Sequence, residues 1–344
     1  MLRRRTVLAS SLALAAAASL QGVARGAPLA PFKLFDTHVH FHSNDPVKYP
    51  FRADMAPALR ADTIAHPVTP DILFKIWDDA GVERGCGVQL NFAYYTDNRY
   101  LLAVAEKYPN RISPIVVLEP ADPATPAALE AMAKAYGVSG VRFAGSPDAA
   151  GNYLFLSDGA KGAWETADDL GLAVVLLPVR PDQPQILPAA MKRIGVLADK
   201  YPNVRIVLDH VGFPVAENSP TFGFSAEHLA LVAHKNVYYK YTTFLMAQLR
   251  TAGVPLKDFL NYAVGVYGAD HFVWGSAVGN NEVARRGTFA GGEAMSNPER
   301  YGELVKLALD SAEGLTLAQK TAMFHNTAKG LFIPGGRAAP FRRP

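Results

Sequence analysis

Apolar, β-rich runs alternate with segments of helical periodicity along almost the whole chain. Eight runs read as strands: Leu34–Phe41, Arg84–Leu90, Ile112–Leu118, Gly140–Phe143, Leu172–Leu177, Val204–His210, Val237–Tyr241 and Phe272–Gly275. Several are continuously apolar, Ala173-Val174-Val175-Leu176-Leu177 most plainly, as expected of parallel strands covered on both faces. Between them lie helical segments near Pro70–Ala80, Asp97–Lys107, Ala124–Tyr136, Gly162–Leu170, Pro184–Lys200, Ser225–Ala233, Pro255–Val264 and Pro298–Ser311, with Thr316–Lys329 as a last helix. The first has recognisable ends: Thr69 as cap, Pro70 in the first turn, Gly81 just beyond. This alternation predicts an α/β fold, a single-domain (β/α)8 TIM barrel with extended loops over its C-terminal face; a doubly wound open sheet is the alternative. No Gly-rich phosphate loop follows the first strand, which weakens that alternative. Ser43–Pro67, rich in Pro, Asp and Ala, reads as a long loop over the barrel mouth.

The periodic pattern begins only after a different kind of segment. Arg3, Arg4 and Arg5 precede an apolar, alanine-rich run from Val7 to Leu20, and Ala24-Arg25-Gly26 is a plausible cleavage site. That is the layout of an export signal, too short for a spanning helix, and Arg4-Arg5-Thr6-Val7-Leu8 resembles a twin-arginine signal. Residues 1–26 therefore read as a signal for the twin-arginine machinery of a bacterial, periplasmic protein, residues 27–334 as the barrel, and 335–344 as a flexible tail. The signal carries four of the 34 basic residues and none of the 31 acidic ones, so the formal charge of +3 for the whole chain turns slightly negative without it. Nothing then suggests a nucleic-acid surface, nor a membrane association after signal removal. Cys86 is the chain's one cysteine, which excludes an internal disulfide and a thiolate metal site; it reads as a small buried strand residue.

Barrel chemistry sits at the C-terminal ends of the strands. His38 and His40, one residue apart, project from one face about 7 Å apart along the strand. Two such imidazoles can share a metal ion or grip an anionic substrate. Arg142 ends the fourth strand and His210 the sixth; Arg180 follows the fifth; Lys240 and Thr242 end the seventh; Asn280, Asn281 and Glu282 follow the eighth. For Arg142, an ion pair inside the barrel is as good a reading as substrate binding. Asp209, next to His210, is expected to point the other way and to pack or cap outside the barrel. His42 and His66 flank the mouth loop, whereas His228, His234 and His271 read as surface or packing residues, and the three tryptophans as core.

At these residues the chain resembles the amidohydrolase superfamily, in its amidohydrolase-2 branch. The matching pieces are Asp36-Thr37-His38-Val39-His40, Gly140-Val141-Arg142-Phe143, Val207-Leu208-Asp209-His210-Val211-Gly212, Val273-Trp274-Gly275-Ser276 and the closing His325-Asn326-Thr327-Ala328-Lys329-Gly330-Leu331-Phe332. Lys48-Tyr49-Pro50-Phe51 and Thr96-Asp97-Asn98-Arg99-Tyr100-Leu101-Leu102 look like 2-pyrone-4,6-dicarboxylate lactonase and related lactonases, many of which work without a metal. The fifth strand agrees, since Leu176-Leu177-Pro178-Val179-Arg180 has no histidine where metal-binding relatives carry one.

One position departs from the pattern. After Trp274-Gly275-Ser276 the resemblance calls for an aspartate, the general base that directs water at the scissile carbonyl; this chain has Ala277. Three explanations stay open: an inactivating substitution, another base, or a barrel that became a binder. The favoured one is a lactonase-like site whose base is absent. The resemblance then implies metal-independent hydrolysis of a carboxylated lactone or similar cyclic ester. Arg142 and Arg180 would bind its acidic group, His38, His40 and His210 would polarise the carbonyl, and Tyr153 and Asn280 are further candidate contacts, Tyr153 more readily a surface-packing residue. The alternatives are a zinc- or manganese-dependent hydrolase or decarboxylase with His38, His40 and His210 as ligands, and a non-catalytic periplasmic ligand-binding barrel.

Overall fold

The computed structural model describes residues 28–179, 184–280 and 300–333. The predicted export segment 1–26, Arg180, Asn281, Glu282 and the predicted tail 335–344 lie outside those residues. Within them the expected barrel is present. Eight strands, β1 (Leu34–Val39), β2 (Val82–Val88), β3 (Ile112–Val117), β4 (Gly140–Gly145), β5 (Ala173–Pro178), β6 (Arg205–Leu208), β7 (Val237–Thr242) and β8 (Phe272–Gly275), pair in parallel and in sequence order. The sheet closes where β8 returns to β1. Val39 bridges Val278 in parallel, the His40 N–H donates to the Val278 carbonyl at 2.9 Å, and the Ala277 N–H donates to the His38 carbonyl at 2.8 Å. Gly275 permits this closure, because a Cβ there would lie 2.5 Å from the His38 Cβ.

Alternation assigns the two faces of the sheet. Val174 and Leu176, Ile206 and Leu208, Tyr239 and Tyr241, and Phe272 and Trp274 pack in the large apolar layer against the helices, together with Trp77 and Trp164. Their neighbours Ala173, Val175, Val207 and Val273 join Phe35, Cys86, Val88 and Ile115 in a separate cluster inside the barrel. The closing helix Thr327–Phe332 completes that inner cluster from below with Ala328, Leu331 and Phe332, and the Ser139 hydroxyl donates to the Phe332 carbonyl at 2.8 Å. The barrel is therefore plugged at its N-terminal end by apolar side chains. Above the plug the inward positions turn polar: Arg142 on β4 and Lys240 and Thr242 on β7 occupy the next turns of the same alternation. On β1, Asp36 pairs with Gly85 and Val39 with Gly87, so β1 carries one extra residue there. That bulge lets Phe35 and both His38 and His40 face inward on one strand.

Two helices escape the hydrophobic pattern. Pro57–Ala65 forms inside the predicted loop Ser43–Pro67, where only Leu59 and Thr63 are buried. Leu59 joins Phe51, Met55, Leu90, Ala93 and Tyr94 in a small apolar cap. Thr243–Thr251 follows β7 with no intervening turn residue, because the Thr242 hydroxyl accepts from the Leu245 N–H and caps it. No helix among the described residues is long and apolar enough to cross a membrane.

Candidate active site

β6 is shorter than its apolar run suggests. It ends at Leu208, and the next four residues form a tight turn in which His210 (φ 55°) and Val211 (φ 57°) adopt left-handed backbone. A β-branched residue at such a φ is rare, and strain of this kind concentrates at functional sites. Gly212 (φ 71°) continues the turn, and the buried His228, with Nε2 3.0 Å from the Gly212 carbonyl, holds it in place.

The turn corrects the expectation for Asp209. Asp209 lies in phase with the inward Val207, so its side chain enters the barrel rather than packing outside. His210 is the residue that alternation would have turned away, and the left-handed step returns it to the interior. Fixing the phase on His210, as though the strand continued to it, inverts the assignment.

Inside the barrel Asp209 is the hub. One of its oxygens lies 2.8 Å from the Arg142 Nε; the other lies 2.9 Å from the Lys240 Nζ and 3.5 Å from the His38 Nδ1. All four groups are buried. Burial alone would push the Asp209 carboxyl up, but Lys240, Arg142 and His38 together hold it well below the usual carboxylate range. The Arg142 ion pair, one of the two readings the sequence left open for this residue, exists, and among the described residues only its Nε is engaged in a hydrogen bond.

The histidines converge beside this hub. His38 and His40 meet edge to face with their Nε2 atoms 3.1 Å apart. The His40 Nδ1 lies 2.8 Å from the Val88 carbonyl, which can only accept, so Nδ1 carries the proton and Nε2 offers a lone pair. His38 has one proton to place, between that Nε2 and its own Nδ1, which faces Asp209 at 3.5 Å. The His210 ring lies 5.8 Å from that of His38, between Phe213 and Phe244 at 4.9 and 4.7 Å, with Nδ1 2.6 Å from the Thr242 hydroxyl.

Burial lowers the pKa of His38 to about 4, with Lys240 and Arg142 reinforcing the shift and Asp209 opposing it. His40 and His210 are lowered well below the ordinary 6.5, chiefly by burial, and His42 to about 4 for the same reason. The folded protein thus excludes protons that these histidines bind when unfolded. Their contribution to stability is complete above pH 6.5 and is lost as pH falls toward 4, on the order of 3 kcal/mol for a histidine shifted that far. Asp36, raised to about 6 by burial against its hydrogen bonds from Ser276, His38 and Tyr301, acts oppositely: its stabilising share is full below about 4 and lost as pH rises through 6. With several histidines against one aspartate, the melting temperature is expected to fall steeply between pH 6.5 and 4.5. A flat profile over that range would show that the imidazoles are not held neutral in the fold.

The remaining candidates are placed as follows. Tyr153 is buried in the apolar layer with its ring 5.1 Å from Phe155, not on the surface. The Asn280 N–H donates to the Ala277 carbonyl and closes the turn after β8. Ala277 is buried and itself left-handed (φ 57°). His66 is exposed beside Asp62. His325 pairs with Glu83 at 2.7 Å, a structural position. A groove of about 860 Å³ lies at the other end of the barrel, by Asn203, Asn236, Thr327 and Gly330, remote from the histidines.

A metal finds part of a site here. Two Nε2 atoms 3.1 Å apart can both reach one ion at roughly 2.1 Å, and both Nδ1 atoms face acceptors, as metal-bound imidazoles require. Among the described residues the third donor is missing: no three His, Cys, Asp or Glu side chains gather to hold an ion, and position 277 contributes only a methyl group. The donor set of the described residues does not by itself complete a metal centre.

Comparison with known proteins matches this architecture. L-fucono-1,5-lactonase of Burkholderia ambifaria is 27% identical over 253 residues, covering 70% of this chain and 78% of that protein. A Pseudomonas putida structure assigned as a 2-pyrone-4,6-dicarboxylic acid hydrolase superposes with a TM-score of 0.64 at 24% identity, over 87% of this chain and 97% of that one. An amidohydrolase of Burkholderia multivorans with bound zinc superposes with a TM-score of 0.62 at 19% identity, over 88% and 99%. At these identities the superpositions show the shared barrel. Residues 35–332 match the amidohydrolase family profile, and a match running from β1 to the closing helix means that the chain belongs to the amidohydrolase family.

Proposed function

We propose that this chain is a lactonase-type hydrolase, built to open a carboxylated lactone or similar cyclic ester without a metal, and that Ala277 impairs it. The observation that carries this reading is the buried cluster at the C-terminal end of the barrel. Arg142 and Lys240 share the single carboxylate of Asp209 there, so the cluster is short of negative charge, and three imidazoles stand beside it. An anionic substrate supplies the missing charge. The guanidinium nitrogens of Arg142 not spent on Asp209 bind the substrate carboxylate, with Arg180 and Asn280 as further contacts; Tyr153, packed in the apolar layer, is not one of them. His38, His40 and His210 polarise the ring carbonyl and stabilise the oxyanion that forms when water adds. The carbon–oxygen bond of the ring then breaks and leaves a hydroxy acid. The likeness to a fuconolactonase supports a lactone as substrate, and the likeness to a pyrone-dicarboxylic acid hydrolase supports one that carries a carboxylate. Residues 1–26 support a periplasmic location and export by the twin-arginine machinery.

The test is ring opening of 2-pyrone-4,6-dicarboxylate and of L-fucono-1,5-lactone by metal-depleted protein, as isolated and with His210→Asn. Removing an oxyanion donor is expected to lower kcat by about 10²–10³-fold. If wild-type turnover is too slow to follow, the comparison is made in an Ala277→Asp background. Intact activity in His210→Asn would overturn the assignment of His210. Saturable binding of either compound without product in any variant would favour a ligand-binding barrel.

The second reading is a zinc- or manganese-dependent hydrolase or decarboxylase with His38, His40 and His210 as ligands. The convergence of the two Nε2 atoms favours it. Stoichiometric metal in protein purified without chelators, with activity lost on its removal, would establish it.

A further inference from the structure

We infer that Thr242 is a positioning residue that fixes His210 as its Nε2–H tautomer, so that His210 meets substrate as a hydrogen-bond donor and cannot serve as the base. The inference rests on the proposed function for what His210 donates to; the tautomer itself is a property of the free protein. Thr242 is fully buried and its hydroxyl has one proton to place. Its oxygen already accepts the Leu245 N–H at 3.4 Å as the cap of helix Thr243–Thr251. The other partner recorded for this hydroxyl among the described residues is the His210 Nδ1, at 2.6 Å.

Two arrangements satisfy that distance. In one, the imidazole Nδ1–H donates to Thr242, which leaves the buried hydroxyl proton with no acceptor among the described residues and carries the cost of an unmade hydrogen bond. In the other, the hydroxyl donates to a bare Nδ1, both the Thr242 hydroxyl and the His210 Nδ1 are satisfied, and the proton of the neutral ring resides on Nε2. The second arrangement prevails. Phe213 and Phe244, with ring centroids within 5 Å, and His38 on a third side keep the ring from flipping out of this contact.

The consequence divides the labour of the site. His40 is locked by the Val88 carbonyl with its lone pair on Nε2, whereas Thr242 locks His210 with a proton there. The two imidazoles present opposite polarity by virtue of one carbonyl and one hydroxyl. Of the three imidazoles, any that stands in as base for the missing carboxylate at position 277 comes from the His38–His40 side, and carbonyl polarisation falls to His210.

Nitrogen-15 NMR of the ligand-free protein, with the His210 signals assigned by their loss in His210→Gln, reads the tautomer directly. The wild type and Thr242→Ser are expected to show a pyridine-type Nδ1 and a pyrrole-type Nε2. Thr242→Val is expected to lose that signature and show the averaged shifts of two exchanging tautomers. Should Thr242→Val fail to fold through loss of its helix cap, the wild type and the serine variant still decide the matter. A pyrrole-type Nδ1 in the wild type would overturn the inference, as would an unchanged Nε2–H signature in folded Thr242→Val. Because no substrate is present, neither result depends on whether the protein opens lactones.

Discussion

Replacing Ala277 by aspartate is expected to raise the rate of lactone opening by about 10²–10⁴-fold, the usual worth of a general base. The backbone is already suited to the change. Ala277 has φ 57°, a conformation that alanine adopts at a cost and that Asp and Asn tolerate better. Its N–H donates to the His38 carbonyl, an interaction that aspartate preserves. The added charge also offsets the excess of Arg142 and Lys240 over Asp209. The melting temperature is therefore expected to hold, with kcat rising, when the carboxylate reaches those cations, and to fall when it stays in the apolar layer. The measurement is kcat for Ala277→Asp against the wild type in metal-depleted buffer, with metal content determined on the same samples, because a carboxylate near His38 and His40 also supplies the donor that a metal centre lacks. A rise only in metal-loaded protein would favour the metallohydrolase reading. A folded variant with no gain under either condition would mean that the new carboxylate stays in the apolar layer where the Ala277 methyl packs, and turnover would fall to another base.

Asp209→Asn is expected to be among the most destabilising single substitutions in this barrel. It leaves Arg142 and Lys240 buried without a counter-charge, and breaking a buried ion pair from one side costs about 3–5 kcal/mol. In a domain of this size that corresponds to a loss on the order of 10 °C in melting temperature. A second substitution separates the charge imbalance from simple loss of packing. Lys240→Met in the Asp209→Asn background removes one of the stranded cations and is expected to recover part of the stability, a coupling that a double-mutant cycle measures. Thermal unfolding of the four proteins at pH 7.5 gives the answer. If Asp209→Asn melted within 2 °C of the wild type, as roughly expected for a surface substitution, the buried network would not have the weight its geometry implies.

The pattern along the chain carried the barrel because buried parallel strands and the helices covering them repeat with different periods, and each reads locally. His38 and His40 were legible for the same reason: period-two spacing puts them on one face, and the bulge in β1 keeps that face inward. Arg142, Lys240 and Thr242 were legible as strand-end residues, although not as partners of one carboxylate. Pro57–Ala65 was not legible, since it buries so few apolar side chains that nothing separates it from loop. Thr243–Thr251 was hidden because a strand residue doubles as its cap.

The site was decided one level higher. Alternation tells which residues of a strand share a face, but not where the strand stops, and β6 stops two residues before its polar pair ends. The left-handed turn at His210 and Val211 is one that neither residue favours, so no local preference announces it. It persists because Gly212 and His228 hold it from outside. Asp209 consequently turns inward to gather Arg142, Lys240 and His38, and His210 reaches Thr242 from the neighbouring strand. The sequence by itself determined the barrel, its family and the strand ends where chemistry is carried. Only the tertiary structure decided which carboxylate the cations share and which histidine nitrogens hold protons, because both depend on contacts between strands far apart in the chain and on a backbone turn that their packing imposes.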